Sequence, residues 1–147
     1  MIAKVEKGLP RVGITGVGAY VPERVLTNAD LAQMVETSDE WIVERTGIRE
    51  RHVAEQDEAT SDVAVPAARE ALERAEVAAE DVDLVIVATA SPDMLFPASA
   101  AFVAEAIGAR NAAAYDLLAG CTGFLYALSQ GYGAVAGGLA KRALVVG

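Results

Sequence analysis

Between Asp116 and Lys141 the chain carries no Asp, Glu, Lys or Arg, a run of 24 uncharged residues. Such a run has two physical solutions. It can cross a bilayer, for which the length suffices and for which Gly133 and Gly137 supply a GxxxG contact spacing. Or it can lie at the centre of a packed protein, because a helix without a polar side has none to offer to water. Six glycines together with Ser129 and Gln130 weaken the first solution. The flanks, Ala112–Leu117 and Ala143–Val146, read as buried strands and favour the second. The expectation is a helix from Thr122 to about Ala136, buried on all sides, whose small residues let a sheet or a partner approach closely.

The remaining elements agree with a sheet covered by helices. Leu84–Thr89 (LVIVAT) is a continuous apolar run of strand length, as strands of parallel sheets are. Pro97–Ile107 reads as a helix with proline in its first turn and Gly108 as its stop. Ser61–Ala75 places Val65, Ala68, Leu72 and Ala75 on one helical face, with Pro66 predicting a kink or a later start. Arg11–Val17 reads as a strand broken by Gly13 and Gly16, with a turn at Gly18, Pro22 and Glu23. Two short helices follow, one opened by Thr27 with Asp30, the other by Thr37 with Glu40 and closed by Gly47. Ile48–Val53 is then extended. Strands alternating with helices predict an α/β fold. No linker or repeat divides residues 1–147, so a single domain is expected. The last strand ends at Gly147 without a covering helix, which reads as an interrupted fold.

Charge and composition exclude several functions. With 21 acidic against 12 basic residues, the net charge of −9 speaks against nucleic acid or anionic lipid as a general partner. One cysteine and one histidine cannot build a disulfide framework or a zinc site of the usual spacing, so no metal is expected and a reducing, cytoplasmic setting fits. Met1–Pro10 mixes Lys4, Glu6 and Lys7 with few apolar residues and lacks the apolar core of a secretory signal. Gly13, Gly16 and Gly18 form GxxGxG, not a dinucleotide fingerprint, and Pro22 follows too closely for a long helix to open there.

Two places carry chemistry. Cys121 falls on Gly120-Cys121-Thr122-Gly123, where the strand ending near Ala119 turns into the uncharged helix. Free N–H groups and the dipole of a helix N-terminus favour a thiolate, lowering a thiol pKa from about 8.5 toward neutrality. The plainer reading makes Cys121 one more small buried residue, as free cysteines often are. The second place is the face on which Thr37, Trp41 and Arg45 recur every four residues, with Arg49 continuing the spacing. An indole beside guanidinium groups can stack an aromatic ring and attract phosphates, or can simply be a half-exposed Trp among solvated arginines. His52 lies in a charged extended stretch and reads as a solvated residue, not as a partner of the cysteine.

DLLAGCTGFLYAL, Asp116–Leu128, resembles the active-site segment of 3-oxoacyl-(acyl-carrier-protein) synthase III, and TNADLAQMVETSDEWIVERTGIRERH, Thr27–His52, is similar to a second block of that family. The segments SPDMLFPASA and ALVVG extend the likeness over nearly the whole chain. The resemblance implies the first half of a thiolase-like fold, in a βαβαβαβ pattern, with Cys121 as the acylated nucleophile on a buried helix. It implies that Thr37, Trp41 and Arg45 hold the coenzyme A nucleotide, and that Phe96 reaches across a homodimer interface to shape the acyl pocket. The expected substrates are acyl-CoA and malonyl-acyl carrier protein, joined with loss of CO2 to begin a fatty acid, without a cofactor beyond the coenzyme A thioester itself.

The family's catalytic histidine and asparagine have no counterpart here, so this chain alone is expected to be inactive. Two alternatives stay open. One is a non-catalytic module that binds coenzyme A or serves assembly. The other is a related synthase of other lipids or quinolones.

Overall fold

The computed structural model describes residues 11–147; the expectation for Met1–Pro10 lies outside the described residues. The chain runs β1 (Val25–Thr27), α1 (Asn28–Met34), α2 (Asp39–Thr46), β2 (Glu50–His52), α3 (Thr60–Ala75), β3 (Leu84–Ala88), α4 (Ser99–Ile107), β4 (Ala113–Leu117), α5 (Gly123–Ala136) and β5 (Ala143–Val146). Strands β4, β3 and β5 form a parallel sheet in that order, with Ile86 of β3 opposite Tyr115 on one side and Val145 on the other. This is the α/β fold expected from the alternation of patterns.

The uninterrupted apolar run in β3 follows from its central place. Successive side chains of a strand point to opposite faces. Val85 and Val87 therefore join Ala64 and Ala68 of α3 and Val103 of α4 in one core. Leu84 and Ile86 join Ala127 of α5 in the other. Asp83 ties the strand starts together: its carboxylate accepts the Lys141 and Arg142 amides at 2.7 and 3.0 Å. Those two backbone bonds hold its pKa below the usual carboxylate range.

Helix α5 comes close to the sheet because Gly123, Ala127 and Gly131, spaced by one turn each, face it. A Cβ on Gly131 would stand 3.2 Å from Val145 Cγ2, and one on Gly123 would stand 3.4 Å from Ala88 Cβ. The other side of α5 is bare: Leu125 is 67% exposed, and Phe124, Tyr126 and Tyr132 are exposed with it. Within these residues α5 is covered by the sheet on one side, and its other side is exposed. No helix among the described residues is long and apolar enough to cross a membrane.

Several local expectations shift. The capping box of Thr27 and Asp30 forms as expected, and its two hydrogen bonds from Thr27 lower the Asp30 pKa. The cap of α2 is Ser38 instead of Thr37; its hydroxyl accepts the Trp41 amide, and Gly47 closes the helix in a left-handed conformation. Helix α3 starts at Thr60 and continues through Pro66, so the later start does not occur. Proline removes one amide from a helix already held by sheet contacts, and tertiary packing outweighs that loss. Helix α4 begins at Ser99, two residues after Pro97. Strand β1 pairs antiparallel with β2, and its three residues are too few to show a period in the sequence.

Arg11–Val17 forms no strand. Its backbone is applied to α3 instead. The Ala19 amide donates to Glu70 Oε2 at 2.7 Å, and Arg74 donates to the Val17 carbonyl at 3.1 Å. The glycines that break the apolar pattern permit this approach. A Cβ on Gly16 would stand 2.7 Å from Ala75 N, and one on Gly18 would strike the Ala67 carbonyl oxygen. Gly16→Ala and Gly18→Ala should each cost about 1–3 kcal/mol through overpacking. Gly13→Ala, whose Cβ would meet nothing within 4 Å, should leave the unfolding midpoint unchanged. Denaturant titration of the three variants, expressed from the full reading frame, checks this; equal midpoints would contradict the close packing.

Candidate active site

The carboxyl ends of parallel strands are where open α/β sheets bind ligands, because the loops there diverge and the helix N-termini converge. Here β3 delivers the loop Thr89–Ala98 and β4 delivers Leu118–Thr122. The Thr89 amide donates to the Leu117 carbonyl at 3.2 Å, which keeps the two strand ends together.

Cys121 sits in a single 3-10 turn, Gly120–Thr122, directly ahead of α5. Gly120 is left-handed, with φ 54°, which a side chain would resist. Thr122 Oγ1 donates to the Ala119 carbonyl at 2.9 Å and closes the turn. Gly123 then drops onto Ala88 and starts the helix. The result points Cys121 outward, and its side chain is exposed. Within these residues the small neighbours of Cys121 do the packing and the cysteine is left exposed.

Phe96 lies in the neighbouring loop and is 86% exposed, with Leu95 wholly so. The Phe96–Pro97 peptide bond is cis. Both loops are fastened at their bases. Asp116 of β4 accepts the Ser99 and Ala100 amides, each at 2.8 Å, and so caps α4 from the adjacent strand.

The second candidate site is only partly the face expected. Trp41 and Arg45 do share one side of α2: the Arg45 guanidinium carbon lies 4.5 Å from the centre of the indole ring. That stacking places the cation on one face of the ring. Trp41 is 53% exposed. Thr37 precedes the helix and is not on its face; it lines an open hollow of about 460 Å3 with Val35, Glu36, Ser38 and Trp41. Its Oγ1 is buried and has no hydrogen-bond partner. Arg49 is exposed beyond Gly47. His52 is on β2, where Nδ1 and the Pro22 carbonyl meet at 2.6 Å, so this nitrogen carries the proton.

Sequence reasoning missed Asn28, which holds α2 in place. It is 1% exposed. Its Nδ2 donates to Asp39 Oδ1 at 2.7 Å and to the Ile48 carbonyl at 2.8 Å, while its Oδ1 accepts from Arg51 at 2.8 Å. One amide thereby joins α1, both ends of α2 and β2. The available signal was an asparagine directly after the capping threonine, a position where the side chain is ordinarily in water. Among the described residues no group of three His, Cys, Asp or Glu stands where a metal could be held.

A parallel sheet with helices on both faces, and a cysteine turn at its carboxyl end, define a thiolase-like α/β protein. The family described as 3-oxoacyl-[acyl-carrier-protein (ACP)] synthase III matches residues 115–147, the stretch that holds Cys121. The beta-ketoacyl-[acyl-carrier-protein] synthase III of Desulfitobacterium hafniense strain Y51 is 56% identical over 136 residues, covering 92% of this chain and 41% of its own length. The crystal structure of the Aquifex aeolicus 3-oxoacyl-[acyl-carrier-protein] synthase III superposes with a TM-score of 0.87 at 45% identity, over 90% of this chain and 42% of that one. The Thermus thermophilus beta-ketoacyl synthase III gives 0.84 at 56% identity, over 90% and 41%. The chain is thus similar to 3-oxoacyl-[acyl-carrier-protein] synthase III proteins over nine-tenths of its own length, and it spans about two-fifths of the length of the proteins it matches.

Replacing Asn28 with Leu, which keeps the volume and removes the amide, should leave Asp39, Arg51 and the Ile48 carbonyl short of partners. A loss of about 1–3 kcal/mol is expected from those unsatisfied groups. Trp41 is the only tryptophan of these 147 residues, and the emission lost in Trp41→Phe isolates its signal, which reports the loosening of α2 separately from global unfolding. Stability and Trp41 emission equal to those of the parent would show that Asn28 holds nothing.

Proposed function

We propose that this chain supplies the acyl-accepting part of a 3-oxoacyl-acyl carrier protein synthase III, with Cys121 as the nucleophile. The observation that carries the reading is the exposed Cys121 on the Gly120–Thr122 turn, inside the stretch that matches the family. In the first step the Cys121 sulfur attacks the acyl-CoA thioester carbon, the acyl–cysteine bond forms and coenzyme A leaves as the thiol. In the second, malonyl-acyl carrier protein loses CO2, its carbanion attacks the acyl carbon, and the cysteine sulfur departs as 3-oxoacyl-acyl carrier protein is released. Sulfur suits both steps because it is a soft nucleophile and a good leaving group. The coenzyme A thioester is the substrate and no separate cofactor takes part.

Thr37, Trp41 and Arg45 are the proposed coenzyme A face. The indole offers a surface for adenine and the guanidinium stacked on it a charge for phosphate, while Thr37 helps to wall the hollow beside them. Phe96 is the proposed acyl-pocket residue that a second copy would receive in a cytoplasmic homodimer; its exposure leaves it free to do so. Residues 1–147 are read as one incomplete domain. Donors for the developing oxyanions would come from elsewhere in the protein, since His52 is engaged on β2.

Incubation of the product of the full reading frame with labelled acetyl-CoA, followed by digestion and mass spectrometry, should place the acyl group on Cys121. Cys121→Ser should abolish it; a label that persists unchanged in that variant would refute the assignment. Titration with coenzyme A should quench or shift Trp41 emission, and Arg45→Ala should weaken binding by about tenfold through loss of a charge-assisted contact. An unaltered spectrum at saturating coenzyme A would make the Trp41 face ordinary surface.

A further inference from the structure

We propose that Asp93 is a positioning residue that holds the Met94–Phe96 arm and, through Phe96, sets which acyl chains the site accepts. The second clause rests on the reading of Phe96 as a pocket residue; the first stands on geometry alone.

Leu95 and Phe96 are almost fully exposed, so packing within this chain does not order them. Their position depends on how the loop is anchored behind them. Ser61, at the N-terminus of α3, donates its amide to Asp93 Oδ1 at 2.9 Å and its hydroxyl to Asp93 Oδ2. The Asp93 amide donates in turn to Ser99 Oγ at 2.9 Å, pinching the base of the loop. Ser99 is wholly buried. Thr60 Oγ1 adds a bond to the Ser91 carbonyl at 2.6 Å, just upstream.

Asp93 is thus the last tethered residue before the arm, and Ser99 the first after it. Burial raises the Asp93 pKa, but the hydrogen bonds from Ser61 and the contact with Ser99 outweigh it and bring the group below the usual carboxylate value, so the anchor stays charged. The Ser99 amide passes the connection to Asp116 of β4, the strand that delivers Cys121. One chain of hydrogen bonds therefore fixes the arm relative to the nucleophile. Reaction rates and selectivity respond to displacements of about 1 Å in such a pair of groups.

The test uses the product of the full reading frame labelled with fluorophenylalanine. Each resonance is assigned by the signal lost in the corresponding Phe→Leu variant, and Phe102 and Phe124, the other two phenylalanines of these 147 residues, serve as internal controls for Phe96. In Asp93→Ala the Phe96 fluorine resonance should broaden or split while the other two stay in place. The ratio of kcat/KM for a short and a longer acyl-CoA should shift by about tenfold, the size expected for one or two lost hydrogen bonds, in the same direction as in Phe96→Ala. Ser61→Ala, which removes one bond, should give the same change to a smaller degree, and Asp93→Asn, which keeps an oxygen for the Ser61 amide, should restore most of the sharp Phe96 signal.

An unchanged Phe96 resonance in Asp93→Ala, or equal changes at all three phenylalanines, would overturn the positioning role. A loosened Phe96 with selectivity unchanged in both Asp93→Ala and Phe96→Ala would overturn the pocket reading and the specificity role with it. A shift in Phe96→Ala alone would overturn the specificity role of Asp93 while leaving the pocket reading standing.

Discussion

Gly123, Ala127 and Gly131 let α5 settle onto the parallel sheet so closely that a single added Cβ at Gly131 would press on Val145. The position of the candidate nucleophile depends on that approach. The turn carrying Cys121 is short because the helix must begin at once against Ala88, and a longer or bulkier connection would lift it away. Small residues on the inner face and no charge anywhere on the helix are two parts of one requirement. The inner face must admit the sheet, and the outer face, with Leu125, Tyr126 and Tyr132, is equally unsuited to water. The hydrophobic area left on that outer side is of the kind that soluble proteins cover.

Polar groups at the other end of the cysteine turn do the complementary work. Asp116 is the last charged residue before the uncharged stretch, and both its oxygens are occupied by the first amides of α4. A carboxylate at a helix N-terminus satisfies donors that the helix cannot satisfy internally. Because the carboxylate comes from the neighbouring strand, it also locks α4 to β4. Through Ser99 and Asp93 the same chain of bonds reaches the N-terminus of α3. Two helices and two loops at the carboxyl end of the sheet are thereby held by groups whose side chains, in sequence, look like ordinary loop polars.

The Trp41 region is organised separately, around Asn28. Its three hydrogen-bond partners lie at the start of α2, just past its end and on β2, so the orientation of α2, and with it the stacked Trp41 and Arg45, is set by one buried amide instead of by a hydrophobic core. Only Ile42 of α2 is buried. A small unit with so little apolar contact depends on satisfied polar groups to a degree that the sheet does not.

Wherever burial imposes a period or a run, the sequence was sufficient. LVIVAT, the uncharged stretch, ALVV and the left-handed stops at Gly47 and Gly108 each report a local condition, and each element formed where its pattern lies. The likeness to the condensing enzymes was legible too, because it resides in residues consecutive along the chain, Asp116–Leu128 and Thr27–His52. Other features were decided by groups far apart in sequence. Arg11–Val17 has the composition of a strand, yet its glycines place it on α3. Thr37 carries the chemistry of a cap, yet Ser38 takes that place and leaves the Thr37 hydroxyl without a partner. Cys121 has the composition of a core residue and is exposed, and Asn28 has that of a surface residue and is buried. Composition and periodicity determine which face of an element avoids water. Only tertiary contact decides which residue is given up to solvent and which polar group finds its partners, because both depend on what the distant parts of the chain bring to that place.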